Sequence, residues 1–470
     1  MAVYNLIFNG CPTGRILPVT NKIQGMITEY NSNNAWIVNG ASGQVNGNNN
    51  KANSYVVRGV AALGKLYSIL FESFVEAYHD CICNKMSSSQ CCEFRADYED
   101  RLYNLYLQVV SGTYEPLKSL CFVVIWPLYR EVFAADFQDR IIHHWICIRL
   151  EPLFDKRFAG MGDVSHNCRK GFGTESAVQA LFKDIYDCSN GFTKSCWVGR
   201  YDISGFFMSI DKGIAWVLLS ELINEHYHEA DKECLLYLVR ITVFHLPQEH
   251  CIKRSPESLW DKIPDNKSLF GNDPYKGMPI GNLPSQLIAN FYMSFFDEFV
   301  LSLGFKYYER YADDFALVHK DKDFILKAIP LFESFLWNKL KLKLHPQKRY
   351  LQHYTKGIMF VGAVIKMDRI YVGKRIVRNT RRTIMHINKE LEEGKELTDS
   401  MISSLNSYYG FMRKRKAYAI RRGLTKNFSP LLWDRVYMTN HFFTIKIKKN
   451  YDELFQYRRE AIKSTRRRIA

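Results

Sequence analysis

Near the middle of the chain, the stretch FKYYERYADDFALVHK (residues 305–320) sets two carboxylates side by side in a run that is otherwise largely aromatic and aliphatic. The flanking runs read as short strands meeting at Ala312 and Asp313, which predicts a tight hairpin with acids at its tip. Adjacent aspartates repel each other and lose hydration when apolar strands surround them. Packing alone gives no reason for the pair. A divalent cation does, because Mg²⁺ is held by a few carboxylates together with phosphate oxygens.

A third carboxylate comes from WVGRYDISGFFMSIDK (residues 197–212). Trp197 to Ile203 reads as a strand, Gly205 breaks it, and Asp211 is placed to cap a helix beginning near Gly213. Asp202 is therefore expected at a strand end. Asp202 and Asp313 as bridging ligands, with Asp314 close by, would suit two ions that align an attacking 3′-oxygen and a leaving pyrophosphate.

The Tyr311-Ala312-Asp313-Asp314 tetrapeptide resembles the YxDD box of reverse transcriptases, and YDISGFF resembles their first palm motif. The resemblance runs from about residue 100 to about residue 425 and implies an α+β, right-hand polymerase fold: fingers, a palm with an antiparallel sheet, and a helical thumb. It implies catalytic Asp202, Asp313 and Asp314, and two Mg²⁺ ions, with Mn²⁺ able to substitute, held by these side chains and the Ile203 main-chain carbonyl. Phe207, five places after Asp202, matches the aromatic residue that closes off the sugar 2′ position, rejecting ribonucleotides by overlap. Arg130 and the Arg169-Lys170-Gly171 turn match positions facing the incoming triphosphate, where guanidinium groups bind phosphate oxygens in pairs. LKLKLHPQKRY resembles the motif whose lysine lies near the pyrophosphate, making Lys348 a candidate general acid in competition with Lys341 and Lys343. GIMFVGAVIK resembles the primer grip, with Phe360 and Gly362 at the matching positions.

One segment discriminates among such enzymes. In KGMPIGNLPSQLIANFYMSFFDEFV (residues 276–300), apolar pairs recur every four residues from Leu287/Ile288 onward, which predicts a helix entered through a Gly/Pro loop. Group II intron and retron enzymes read Pro-Gln-Gly in that loop and open the helix with Ser-Pro. Here the places hold Pro279-Ile280-Gly281 and Ser285-Gln286, which resembles the reverse transcriptases of diversity-generating retroelements. The glutamine of that loop packs near the templating base, so Ile280 implies lost polar contacts and looser discrimination at some template bases. Gly281 and Gln286 complete the nucleotide-binding set that the resemblance implies.

The same resemblance accounts for residues 31–53, which hold nine asparagines. Diversity-generating retroelements misread template adenines, and asparagine codons begin with two of them. The stretch resembles the translated variable end of a target gene, as if the reading frame ran through the template repeat into the polymerase; the plain alternative is a polar linker. Residues 1–62 are therefore expected to be a poorly ordered Asn-rich segment, 63–196 fingers, 197–365 palm with part of the fingers, and 366–470 thumb and basic tail.

A formal charge of +16 favours polyanionic partners, here template RNA, the RNA–DNA duplex and dNTPs, and MRKRKAYAIRR (residues 412–422), with six basic residues and no acid, is expected to track the duplex. The family implies a further partner, a small basic oligomeric accessory protein. No apolar run approaches the length of a membrane span and no secretory signal opens the chain, so no membrane is expected and a cytoplasmic location is. Cys81, Cys83, Cys91 and Cys92 lack the paired spacing of zinc knuckles and are expected to be ordinary thiols. Two rival readings stay open: a group II intron or other bacterial reverse transcriptase of the retron or defence type, and a non-catalytic nucleic-acid-binding protein with the same fold.

Overall fold

The computed structural model describes residues 37–38, 45–46, 69–83, 88–125, 128–367, 369–439 and 441–448. Most of the Asn-rich segment, with its expected disorder and its likeness to a template repeat, lies outside the described residues, as does the end of the basic tail. Within that segment two short backbone stretches pair antiparallel, Ile37 with Asn46 and Val38 with Val45.

The chain divides into two compact units. The first comprises residues 1–163, 203–299 and 332–344. Its longest helix, Phe137–Gly160, starts where the Asp136 carboxylate accepts the Gln138 amide at 3.0 Å, supplying a partner to an amide that the helix leaves unpaired. Ile141, Ile142, Trp145, Ile146, Leu150 and Phe154 recur at helical spacing and are buried. The Trp145 indole N–H reaches the Ser73 hydroxyl at 2.9 Å, so this large ring is buried without an orphaned donor. A small sheet runs in the order Arg130–Ala134, Ser119–Val124, Cys251–Lys253, antiparallel in the first pairing and parallel in the second. The predicted helix after the Gly/Pro loop is Leu283–Ser302, with Leu287, Ile288, Phe291, Tyr292 and Phe296 buried as the four-residue repeat requires.

The second unit comprises residues 164–202, 300–331 and 345–470. Its centre is a four-stranded sheet in the order Tyr307–Tyr311, Asp314–His319, Trp197–Ile203, Leu344–His353. Val198, Ala316 and Val318 of that sheet pack with Ala177, Val178, Leu181 and Ile185 of the Thr174–Cys188 helix, and with Phe360, Ala363 and Ile365 of a second, three-stranded sheet. Three of the strands are buried over most of their length, so even Glu309 and Arg310 of Tyr307–Tyr311 lie in the interior.

The C-terminal part is helical. Ile384, Ile387 and Leu391 of the Lys374–Glu392 helix pack on Leu405, Tyr409 and Met412 of the Asp399–Arg413 helix, leaving Arg375, Arg378, Arg381 and Arg382 exposed along one face. The basic stretch 412–422 departs from its expected exposed role in part. Arg415 and Arg421 are buried, donating to the Phe411 carbonyl at 2.6 Å and the Met412 carbonyl at 3.0 Å. Arg415 also faces Glu175 at 3.3 Å, while Tyr409 is wholly enclosed. Their alkyl stems fill core volume, and each gives one N–H to a carbonyl left over at a helix end, while Arg415 Nε and Nη2 and Arg421 Nε are buried without a hydrogen-bond partner. Arg413, Lys414, Lys416 and Arg422 remain exposed.

Candidate active site

The second unit brings the expected carboxylates to one end of its central sheet. Register does this: Asp202 stands directly opposite Asp314 in the pairing of Trp197–Ile203 with Asp314–His319. Between Tyr311 and Asp314 the chain reverses through Ala312 and Asp313, as the sequence predicts, with Ala312 in the left-handed region at φ 56°. That conformation is costly for a residue with a Cβ and persists where neighbours enforce it. Arg310, completely buried, donates from Nη1 to the Ala312 carbonyl at 3.0 Å and so clamps the turn from below.

Charge governs the rest. Asp313 is pushed up to about 6, first by burial and then by the Asp202 charge. Asp314 is also raised by burial, against the pull of Arg200. Two cationic groups balance the cluster: Lys348 Nζ lies 2.5 Å from Asp202 Oδ2, and Arg200 Nε lies 2.9 Å from Asp314 Oδ1. Lys348, from the Leu344–His353 strand, is thus singled out from Lys341 and Lys343 by its contact. As the side chains stand, no group of three or more acids, histidines or cysteines surrounds a point among the described residues. The donor chemistry nonetheless fits a divalent ion: hard carboxylate oxygens whose repulsion a doubly charged cation relieves. Asp202, Asp313 and Asp314 are the residues that would hold it.

In the first unit, Phe207 and Ile280 pack against one small core of Cys121, Phe133, Met208 and Leu269. Backbone bonds fix them there: the Met278 amide donates to the Phe207 carbonyl and the Phe133 amide to the Ile280 carbonyl, each at 2.8 Å. Gly281 has φ 115°, and a Cβ there would meet the Phe133 carbonyl oxygen at 2.6 Å and Val132 Cγ1 at 2.7 Å. No other residue suits that approach. Ser285 is buried and Gln286 exposed at the start of the following helix. Ile203 is buried, and Arg130 opens the strand Arg130–Ala134 half-exposed.

Of the remaining expected residues, all in the second unit, Arg169 turns back on its own loop, donating to the Ser165 carbonyl at 3.0 Å and lying 4.0 Å over the Phe172 ring. Lys170 beside it is exposed. Phe360 is fully buried in the hairpin Ile358–Phe360/Ala363–Ile365, and Gly362 turns it at φ 81°. Cys81 and Cys91 are buried while Cys83 and Cys92 are exposed, so the four thiols do not face a common point.

The reverse transcriptase (RNA-dependent DNA polymerase) family model matches residues 128–365, just over half of the chain. The chain belongs to the reverse transcriptase family. This reverse transcriptase is 22% identical over 394 residues to the group II intron-encoded protein LtrA of Lactococcus lactis subsp. cremoris, covering 68% of this chain and 59% of that protein. It is 21% identical over 308 residues to protein YkfC of Escherichia coli K12, covering 58% and 73% respectively. The chain thus spans under two thirds of the length of the intron-encoded protein. Among solved structures it is similar to apo telomerase from Candida tropicalis truncated from its C-terminal domain, 12% identical with a TM-score of 0.40 over 54% of this chain and 55% of that one. The reverse transcriptase carries the α+β, right-hand polymerase fold, and divalent metal ions are the family's general cofactor.

Two residues at the site were missed in the sequence, Arg200 and Arg310. Arg200 had a signal: it precedes Asp202 by two on a strand, and so shares its face. Arg310 had none, because an arginine enclosed beneath a turn reads like any strand-end charge.

Proposed function

We propose that this reverse transcriptase is the RNA-directed DNA polymerase of a diversity-generating retroelement, copying a template-repeat RNA into cDNA with errors concentrated at adenine. The observation that carries the polymerase reading is the register that sets Asp202 opposite Asp314 with Asp313 at the adjoining turn. Two Mg²⁺ ions, replaceable by Mn²⁺, would lower the charge on the reacting phosphates and sharpen the attack of the 3′-oxygen. Asp202, Asp313 and Asp314, with the Ile203 carbonyl, would hold the ions. Lys348, whose Nζ donates to Asp202 Oδ2, is the general acid that gives a proton to the departing pyrophosphate. Arg130, Arg169 and Lys170 receive the triphosphate, and Phe207 occupies the volume a 2′-hydroxyl would need. Phe360 and Gly362 shape the hairpin that holds the primer end.

The finer reading rests on Ile280-Gly281 and Ser285-Gln286, where group II intron and retron enzymes carry Gln-Gly and Ser-Pro. An aliphatic Ile280 packed on a small apolar core offers no polar contact to a nascent pair, so a mispair leaves little unsatisfied. An oligomeric basic accessory protein and a cytoplasmic setting belong to the same reading. Among the described residues no helix is long and apolar enough to cross a membrane. A group II intron reading is favoured by the likeness to the Lactococcus protein and disfavoured by this loop.

The test is primer extension on an RNA template by the full chain with Mg²⁺ or Mn²⁺, followed by sequencing of the cDNA. Errors clustered opposite adenine support the proposal. Uniformly accurate copying with the complete template-repeat RNA and accessory protein present overturns the retroelement reading, and no extension with either ion overturns the polymerase reading.

A further inference from the structure

Arg200 stands on a central strand of the four-stranded sheet, opposite Ala316, two residues before Asp202 and on the same face. Its guanidinium does two things. Through Nε it donates to Asp314 Oδ1 at 2.9 Å, and through Nη1 to the main-chain carbonyl of Met359 at 2.7 Å. Met359 lies in the middle of the first strand of the hairpin Ile358–Phe360/Ala363–Ile365, paired with Val364. One rigid, planar group thus joins the acid at the turn to the backbone of a neighbouring hairpin, and the Tyr350 ring lies 5.4 Å from its central carbon.

The hairpin's second strand is laddered to Ile370–Val372, the Gly373 amide donates to the Gly362 carbonyl at 2.9 Å, and Gln352 donates to the Gly357 carbonyl at 2.8 Å just before the first strand. Ile358 and Phe360 are buried in the core beneath the sheet, while the Met359 side chain between them is 48% exposed. Burial of alternate residues fixes the height of the strand, but apolar contacts are non-directional and set its lateral position weakly. The Arg200 guanidinium adds a directional, charged link from the middle of the first strand to Asp314 itself.

We propose that Arg200 is a positioning residue that registers this hairpin, and with it the primer 3′ end, against the carboxylate of Asp314. The inference rests on the polymerase reading and on the hairpin's role in holding the primer. It assigns to Arg200 a demand on shape as well as charge. A lysine would keep a cation beside Asp314, but its single ammonium lacks the planar fork that reaches two acceptors in fixed directions. A methionine would remove both links.

The experiment compares the full-length protein with Arg200→Lys and Arg200→Met in single-turnover extension of a primed RNA template. Primer–template affinity, the Mg²⁺ concentration for half-maximal rate, and thermal unfolding are measured alongside. Arg200→Met is expected to extend about 100-fold more slowly, the loss that a misplacement near 1 Å brings, with primer–template affinity within about threefold of the parent. Arg200→Lys is expected to restore the parent's Mg²⁺ midpoint but to remain at least about tenfold slow, because charge is rescued and position is not. An Arg200→Lys protein at the parental rate would overturn the proposal, since charge alone would then suffice. So would a rate loss in both variants that only follows weakened primer–template binding or lowered unfolding temperature. Should Arg200→Met not fold, Arg200→Lys decides by itself. Failure of the unsubstituted protein to extend at all is a different outcome, which defeats the polymerase reading.

Discussion

The end of the four-stranded sheet and the loop around Ile280 are built on opposite principles. At the sheet end, three carboxylates are held near one another against their repulsion, balanced by Lys348 and Arg200 and clamped by the buried Arg310. In that loop region, Phe207 and Ile280 sit on a small apolar core and are fixed by backbone hydrogen bonds, with Gly281 in close approach to Phe133 and without any ion pair of their own among the described residues. Charge gathered at cost is what catalysis of phosphoryl transfer needs, whereas selectivity between nucleotides needs a surface of defined shape. One substitution at the first region should therefore remove activity and leave the fold, while one at the second should change shape or accuracy before it changes chemistry.

The sharpest way to break this contrast is Asp313→Asn, which keeps volume and removes a negative oxygen. Extension should fall by at least about a thousandfold with unfolding temperature and RNA binding close to the parent's. Retained extension by the purified variant would show that the sheet end is not the catalytic centre.

Gly281→Ala probes the second region through packing. Its Cβ would press on the Phe133 carbonyl and Val132 in a backbone conformation that L-residues rarely adopt, at a cost of about 3 kcal/mol. Denaturant unfolding should register the loss. An unchanged midpoint would mean that the loop has a second conformation to retreat to.

Ile280→Gln leaves packing volume nearly the same and adds polar groups. Misincorporation opposite adenine should fall several-fold, on the scale of 1.4 kcal/mol per tenfold, with correct incorporation opposite other bases little altered. Identical error spectra from the two proteins on one RNA would place the infidelity elsewhere.

The smallest effect concerns a buried acid away from the turn. Asp184, in the helix behind the sheet, is pushed up to about 8 by burial and then by Glu309, itself 2.5 Å from His166. A carboxyl raised above its unfolded value holds a proton that the unfolded chain releases, so its contribution to stability is present at low pH and is lost as pH rises from about 4 to about 8. Asp184→Asn should flatten that slope, gaining on the order of 1 kcal/mol relative to the parent at pH 8 over pH 5 by chemical denaturation. Parallel curves for the two proteins would indicate that Asp184 finds a cationic partner when ionised.

Much of the site could be read in the sequence because it is local. The strand Trp197–Ile203, the Asp211 cap, which accepts the Ile214 amide at 2.9 Å, and the turn at Ala312 and Asp313 depend on residues within a few places of each other. Alternation, breakers and turn chemistry report such elements directly. The apolar pairs after Ser285 likewise announced their helix.

What the tertiary structure alone decided is which charges meet. Sequence offered Lys348 with Lys341 and Lys343 in competition, and the pairing of strands brought Lys348 to Asp202 across 146 positions of sequence. Arg415 and Arg421 sat in a run that composition could only read as surface, yet both fill the core, where a helix-end carbonyl accepts one N–H from each. Arg200 bonds at once to Asp314, 114 residues away, and to Met359, 159 residues away. Local patterns fix the direction of a strand and the face of a side chain. Long-range ion pairs depend on register between distant strands, and a side chain as long as arginine or lysine reaches any of several partners until the fold leaves it one.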